Sequence, residues 1–186
     1  LRTITKFLIS NNLSFKPSLQ DFHAKALSDY GIDDTWPEPV LKAAKIANEK
    51  LTQDKDYLEE FPFVTIDGED AKDFDDAIFC TFNDDGFHLK VAIADVSFFV
   101  REHSALDLEA AKRTTSVYLP KKVVPMLPER LSNELCSLQP NKRRRCLCVE
   151  INFDKDGHIT NYKFHRGVIK SVARLTYTEV EEQLLN

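Results

Sequence analysis

The sequence predicts an α+β fold, a helical lead-in followed by a mixed, largely antiparallel sheet with helices. Three observations carry that expectation. Apolar residues recur at helical spacing over residues 1–56, and short apolar runs broken by turn residues take over beyond them. The composition, 42% hydrophobic and 30% charged with 13 Phe against 5 Gly, suits a chain that buries a core.

Within the lead-in, SLQDFHAKALSDYG offers Ser18 as an N-cap, Leu19, Phe22 and Ala26 as an apolar stripe, and Gly31 as a stop. TWPEPVLKAAKIANEKL predicts a second helix. Thr35 and Glu38 have capping-box spacing, Pro37 lies in the tolerated first turn, and Val40, Leu41, Ala44, Ala47 and Leu51 form one stripe. After the polar TQDKDYLEE, FVTI reads as a strand. AIFCTF and FHLKVAIA then form a hairpin around Asn83-Asp84-Asp85-Gly86. Ser104 caps a helix through LDLEAAKR. CLCVEINF, the turn DKDG and ITNYKFHRGVI make a second hairpin, and Thr176 with Glu179 caps a last helix, TYTEVEEQLL. The chain opens at Leu1 and its last helix ends without a stop signal, so the expectation is of a domain cut short.

The densest chemistry lies in TIDGEDAKDFDDAI, from Thr65 to Ile78. Asp67 follows a strand; Asp73, Asp75 and Asp76 precede the next. If residues 71–76 fold back across that strand end, four carboxylates converge, and they cannot all stay ionised without cations. Hard oxygen ligands of this kind suit Mg²⁺ or Mn²⁺. Two such ions about 3.5–4 Å apart can clamp a phosphodiester. An EF-hand is excluded, because counting from Asp67 puts Lys72 where Gly is needed and Ile78 where the bidentate Glu is needed. A glycosidase needs only two carboxylates, and no aromatic sugar platform accompanies these. A solvated acidic loop fits the spacing as well as a metal site does.

Together with segments farther along the chain, this stretch resembles the catalytic domain of the ribonuclease II/R (RNB) exoribonuclease family, closest to its ribonuclease R branch. The matching segments are FVTIDGEDAKDFDDAI, VAIADVSFFV, TSVYLP, VVPMLPERLSNELCSLQP and GVIKSVARLTYTEV, in the family's order from Pro62 to Val180. The resemblance implies a lead-in over residues 1–56 and the N-terminal portion of an RNB-type catalytic domain over 57–186. It implies processive, hydrolytic 3′→5′ degradation of single-stranded RNA to nucleoside 5′-monophosphates with Mg²⁺, Mn²⁺ being an alternative, and no other small-molecule cofactor. The family's catalytic, metal-binding aspartates fall on Asp67, Asp73, Asp75 and Asp76, and its base-stacking tyrosine on Tyr118. Read from the sequence alone, a tyrosine beside a proline is also an ordinary turn residue. As a stacking platform it would accept any base.

Three departures accompany the resemblance. Phe98 stands where the family commonly has His. The arginine that assists catalysis lies farther along the family's chain, and the flanking cold-shock and S1 domains, both OB-like RNA binders, are outside these residues. The parent protein is therefore expected to be a nuclease and this chain weakly active or inactive. The alternative is a non-catalytic RNA-binding relative that keeps the fold; retention of all four aspartates favours the enzyme.

The remaining features set bounds. Net charge is −5, which argues against a broad basic RNA-binding surface, although bound cations would invert the sign locally. Lys142-Arg143-Arg144-Arg145 reads as a solvated loop, with backbone phosphate contact as the competing use. Cys80, Cys136, Cys146 and Cys148 lack metal-motif spacing and read as buried reduced thiols, a zinc site with His158 or His165 being the alternative. No apolar run reaches bilayer length and no secretory leader is evident, so the expected setting is cytoplasmic with no membrane partner.

Overall fold

The structure, a computed structural model, describes residues 17–48, 51 and 56–185. Much of the polar stretch TQDKDYLEE lies outside them. The chain divides into two compact units.

The described part of the smaller unit holds residues 17–36 and Val117–Val124. Helix α1, Leu19–Asp29, starts at Ser18 through a reciprocal capping box with Asp21. It closes where the Tyr30 N–H reaches the Ala26 carbonyl and Gly31 turns to φ +64°, as its sequence predicts. The buried stripe differs from the expected one. His23 and Leu27 are buried, one turn apart, while Leu19 and Phe22 are exposed. Apolar spacing offers several faces, and packing chooses among them. The two-stranded ribbon of β4 (Val117–Leu119) and β5 (Lys122–Val124) completes this unit, and Lys122 pairs with Asp34 at 2.6 Å.

The larger unit holds residues 37–116 and 125–186. Helix α2, Glu38–Ile46, buries Val40 and Ala44 as expected. Its start differs from the capping-box expectation: Pro37 is the N-cap with no side-chain cap bond, and the Thr35 hydroxyl donates to Asp33 at 2.7 Å. The helix also stops at Ile46, short of Leu51. There Arg130 donates to the Ala44 and Ala47 carbonyls, satisfying groups that a helix end leaves orphaned.

A six-stranded sheet dominates this unit. Its strands are β1 (Val64–Asp67), β2 (Asp76–Asn83), β3 (Gly86–Ala94), β6 (Arg143–Phe153), β7 (Ile159–Lys170) and β8 (Ala173–Thr176). They lie in the order β7-β6-β3-β2-β1-β8, with β1 and β8 parallel and every other pair antiparallel. Both expected hairpins form. In the first, Asn83 faces Gly86, and a Cβ on that glycine would lie 2.1 Å from the Phe153 carbonyl oxygen. Strand β8 is not among the elements expected from the sequence; its partner β1 is more than a hundred residues earlier. Between the hairpins run the short α3 (Val96–Phe99) and α4 (Ala105–Arg113), the latter capped by Ser104. Helix α5, Tyr177–Leu185, starts at the expected Thr176–Glu179 box.

One sheet face carries Ala77, Lys90, Ala92, Cys146, Cys148 and Gly167 beneath a 3-10 turn, Tyr57–Glu60. Gly167 is required there, since a Cβ would stand 2.8 Å from Asp56 and 2.9 Å from Leu58. Leu58 and Phe63 are fully buried, each burial contributing about 1.5–3 kcal/mol. Lys90, also buried, pairs with Glu150 and lies 4.3 Å from the Phe61 ring centroid. The other sheet face is open, with Phe82, Phe87, Ile93, Leu147, Tyr162 and Phe164 exposed.

The structure corrects two further expectations. The basic run is no solvated loop: Arg143–Arg145 begin β6. Arg143 forks onto Glu59 at 2.6 and 2.9 Å, Arg144 donates to the Ser137 carbonyl at 3.0 Å, and Arg145 lies 4.1 Å from the Phe98 ring. That stacking gives Phe98 a packing role. The thiols split: Cys136, Cys146 and Cys148 are buried, but Cys80 is exposed. No helix among the described residues is long and apolar enough to cross a membrane.

Candidate active site

Strand β1 ends at Asp67 and β2 begins at Asp76, so the intervening loop, residues 68–75, must reverse the chain. The antiparallel register pairs Val64 with Ile78, and continuing it sets Asp75 across from Asp67. Asp73 and Asp75 flank Phe74, whose ring is buried.

The loop has no regular structure, and its backbone polar groups are held by residues distant in sequence. The Ser137 hydroxyl donates to the Lys72 carbonyl at 2.8 Å and accepts from the Phe74 N–H at 3.1 Å. The Leu138 N–H reaches the Phe74 carbonyl, and the Ala94 N–H the Asp75 carbonyl, both at 2.8 Å. Arg174 of β8 donates to the Gly68 carbonyl at 2.9 Å and to that of Glu69, and lies 5.7 Å from the Phe74 ring centroid. Sequence reasoning assigns no role to Ser137 or Arg174. Both lie in family-like segments, NELCSLQP and SVARLTYTEV, but nothing local ties either to a loop 63 to 106 residues away.

The four aspartates sense one another's charge, although among the described residues the group whose ligand atoms already lie within 4.8 Å of one another is a different one, Asp154, Asp156 and His158. Burial holds the Asp67 carboxyl above the ordinary aspartate range, and Asp76 and Asp73 push it further, against the pull of Arg174. Asp75 keeps solvent contact, yet the atoms packed around its carboxyl raise it too, and Asp73, Asp67 and Asp76 add to this. Carboxyls raised by neighbouring carboxylates are short of positive charge. Asp67 Oδ2 is buried and makes no hydrogen bond, which fits an oxygen aimed at a cation. Asp67, Asp73, Asp75 and Asp76 are therefore suited to a hard divalent cation.

Other expected groups lie elsewhere. Tyr118 is on β4 in the smaller unit, 67% exposed. The zinc alternative finds no support: burial pushes the Cys146 thiol up to about 12 and Cys148 to about 11, while His158 pairs with Asp154 and His165 with Glu150. Asp154, Asp156 and His158 do bring ligand atoms within 4.8 Å of one another, but they build the β6–β7 turn.

Comparison with known proteins gives a consistent result. Ribonuclease R of Acidithiobacillus ferrooxidans is 47% identical over 159 residues, covering 83% of this chain and 36% of its own length. Ribonuclease R of Escherichia coli strain K12 is 47% identical over 160 residues, covering 83% of this chain and 20% of its own. Mycoplasma genitalium RNase R, solved in complex with ribose-methylated single-stranded RNA, superposes with a TM-score of 0.78. It is 39% identical over 87% of this chain and 26% of its own length. The chain thus spans about a fifth to a third of these relatives. Residues 55–186 match the RNB domain family, and the chain, with its acid loop folded at the end of β1, belongs to that family.

Proposed function

We propose that this chain is part of a metal-dependent 3′→5′ exoribonuclease that hydrolyses single-stranded RNA processively to nucleoside 5′-monophosphates. Residues 57–186 supply the first portion of its catalytic domain, and OB-like RNA-binding domains flank it in the whole protein. The observation that carries this reading is that neighbouring carboxylates raise both Asp67 and Asp75, Asp73 and Asp76 acting on each, in a chain of the RNB family. A solvated acidic loop would neither bury Asp67 Oδ2 unbonded nor fix its backbone from three sides.

When bound, Mg²⁺ or Mn²⁺ supplies positive charge at the scissile phosphate and lowers the pKa of water. The protein does the rest. Asp67 and Asp76, at the two strand ends, are the direct ligands and Asp73 assists them. Asp75 orients the attacking water in line with the leaving oxygen. Tyr118, with its ring exposed, stacks on a base near the cleaved end, which holds register without reading sequence. The setting is cytoplasmic and the RNA is gripped by contacts outside the acid cluster.

The test is Asp75→Asn in the whole protein. It keeps shape and removes charge, and the rate should fall at least ~10³-fold, about 4 kcal/mol, at saturating Mg²⁺. RNA affinity should stay within a few-fold. Substantial hydrolysis by the variant removes Asp75 from the mechanism, and loss of RNA binding together with rate shows that the substitution disrupted the whole site.

A further inference from the structure

We infer that Ser137 is a positioning residue for the candidate metal site: its hydroxyl fixes the Lys72–Phe74 backbone so that Asp73 and Asp75 are set for a divalent cation before one binds. The inference rests on the reading that the four aspartates hold such an ion, and extends it to a residue that touches neither ion nor RNA.

The geometry is specific. Ser137 is fully buried, and its one hydroxyl both donates to the Lys72 carbonyl at 2.8 Å and accepts from the Phe74 N–H at 3.1 Å. These two backbone groups bracket Asp73, and Phe74 is the link between Asp73 and Asp75. A hydroxyl can serve a donor and an acceptor at once, which neither a methyl group nor an apolar side chain can do. Ser137 is itself held: its carbonyl accepts from Arg144 Nε at 3.0 Å, and the next residue, Leu138, donates its N–H to the Phe74 carbonyl at 2.8 Å. The support therefore runs from β6 through Ser137 to the acid loop.

A restraint is needed because the loop carries its own opposing force. Asp67, Asp73, Asp75 and Asp76 repel one another, and without cations they would relax by spreading. Losing the hydroxyl would leave the buried Phe74 N–H unmet and the Lys72 carbonyl without its donor, and the loop would move to find water. The ion would then have to reassemble its own ligands, and that reorganisation would weaken its binding.

The experiment titrates Mn²⁺ into the full 186-residue chain without RNA, following free Mn²⁺ by electron paramagnetic resonance, with folding checked by circular dichroism. Folded Ser137→Ala should bind Mn²⁺ about 10-fold more weakly, the scale seen when a group supporting a metal ligand is removed. Ser137→Thr, which restores the hydroxyl, should recover most of the affinity. A purely structural role would lower the melting temperature and leave the Mn²⁺ affinity of the folded chain unchanged, and that result overturns the inference. Should Ser137→Ala fail to fold, hydrogen exchange on the unaltered chain decides. The Phe74 amide should be protected relative to those of Glu69 and Asp70, and equal exchange overturns the inference. Failure of the underlying reading looks different: the unaltered chain binds no Mn²⁺, or Asp67→Asn binds it equally well, and both readings then fall together.

Discussion

Two charge runs of opposite sign meet opposite fates in this protein. The basic run Lys142–Arg145 looks like a surface feature and is built into the structure. Arg143 forks onto Glu59, Arg144 grips the Ser137 carbonyl and Arg145 stacks on Phe98. In the acidic run, Asp73 and Asp76 raise both Asp67 and Asp75, and Arg174 only partly offsets this at Asp67. A run of like charges therefore has no fixed meaning; what matters is whether the fold supplies its counter-charges. One run stabilises the molecule, and the other is left short of counter-charge. The two are linked through Ser137, held by Arg144 on one side and holding the acid loop on the other.

The contrast breaks most visibly at Arg143. Its fork onto Glu59 is partly buried, with side-chain exposures of 28% and 9%. Arg143→Met leaves that carboxylate without its counter-ion and should cost about 2–3 kcal/mol in urea denaturation, with an unchanged m-value. RNA affinity of the whole protein should not move. Unchanged stability with weakened RNA binding would turn the basic run back into a phosphate contact.

Asp75→Asn sharpens the other half, with the opposite sign. A carboxyl whose pKa is raised on folding keeps its proton longer in the folded state than in the unfolded one. The stability that it contributes is present below the unfolded value near 3.8 and is lost as pH rises through the folded value. The loss is complete once the pH exceeds the folded value. Without divalent cations, the Asn variant should therefore melt above the unaltered chain at pH 7, and the gain should vanish as pH falls below about 3.8. Mg²⁺ should stabilise the unaltered chain more than the variant, since only ion binding to the folded state adds stability. A variant less stable than the unaltered chain at pH 7 would mean that these carboxylates already have sufficient counter-charge.

The smallest effect belongs to Lys142, the exposed member of the basic run. Lys142→Ala should change stability by no more than about 0.5 kcal/mol, as surface substitutions away from special features do. A larger change in urea denaturation would show that the whole run, and not its arginines alone, is structural.

What the sequence determined by itself was local. Ser18, Ser104 and Thr176 cap helices where the sequence predicts them, Thr176 through its box with Glu179. Asn83–Gly86 turns the chain because two residues suffice to join antiparallel strands. The aspartates, too, were legible as candidates, since six acids within ten residues are visible without a fold. Tertiary structure decided the rest, because the deciding contacts join residues far apart in the chain. Thr35 and Glu38 had the right spacing and did not cap, as Thr35 bonds to Asp33 and Pro37 takes the N-cap position. The α1 stripe shifted to His23 and Leu27 because burial needs something to pack against, which periodicity does not name. Strand β8 pairs with β1 from far along the chain, and the acid loop is held by Ser137, Leu138, Ala94 and Arg174. Spacing along the chain can place acids near one another. Holding like charges together requires buried hydrogen bonds from elsewhere, and only the folded chain supplies those.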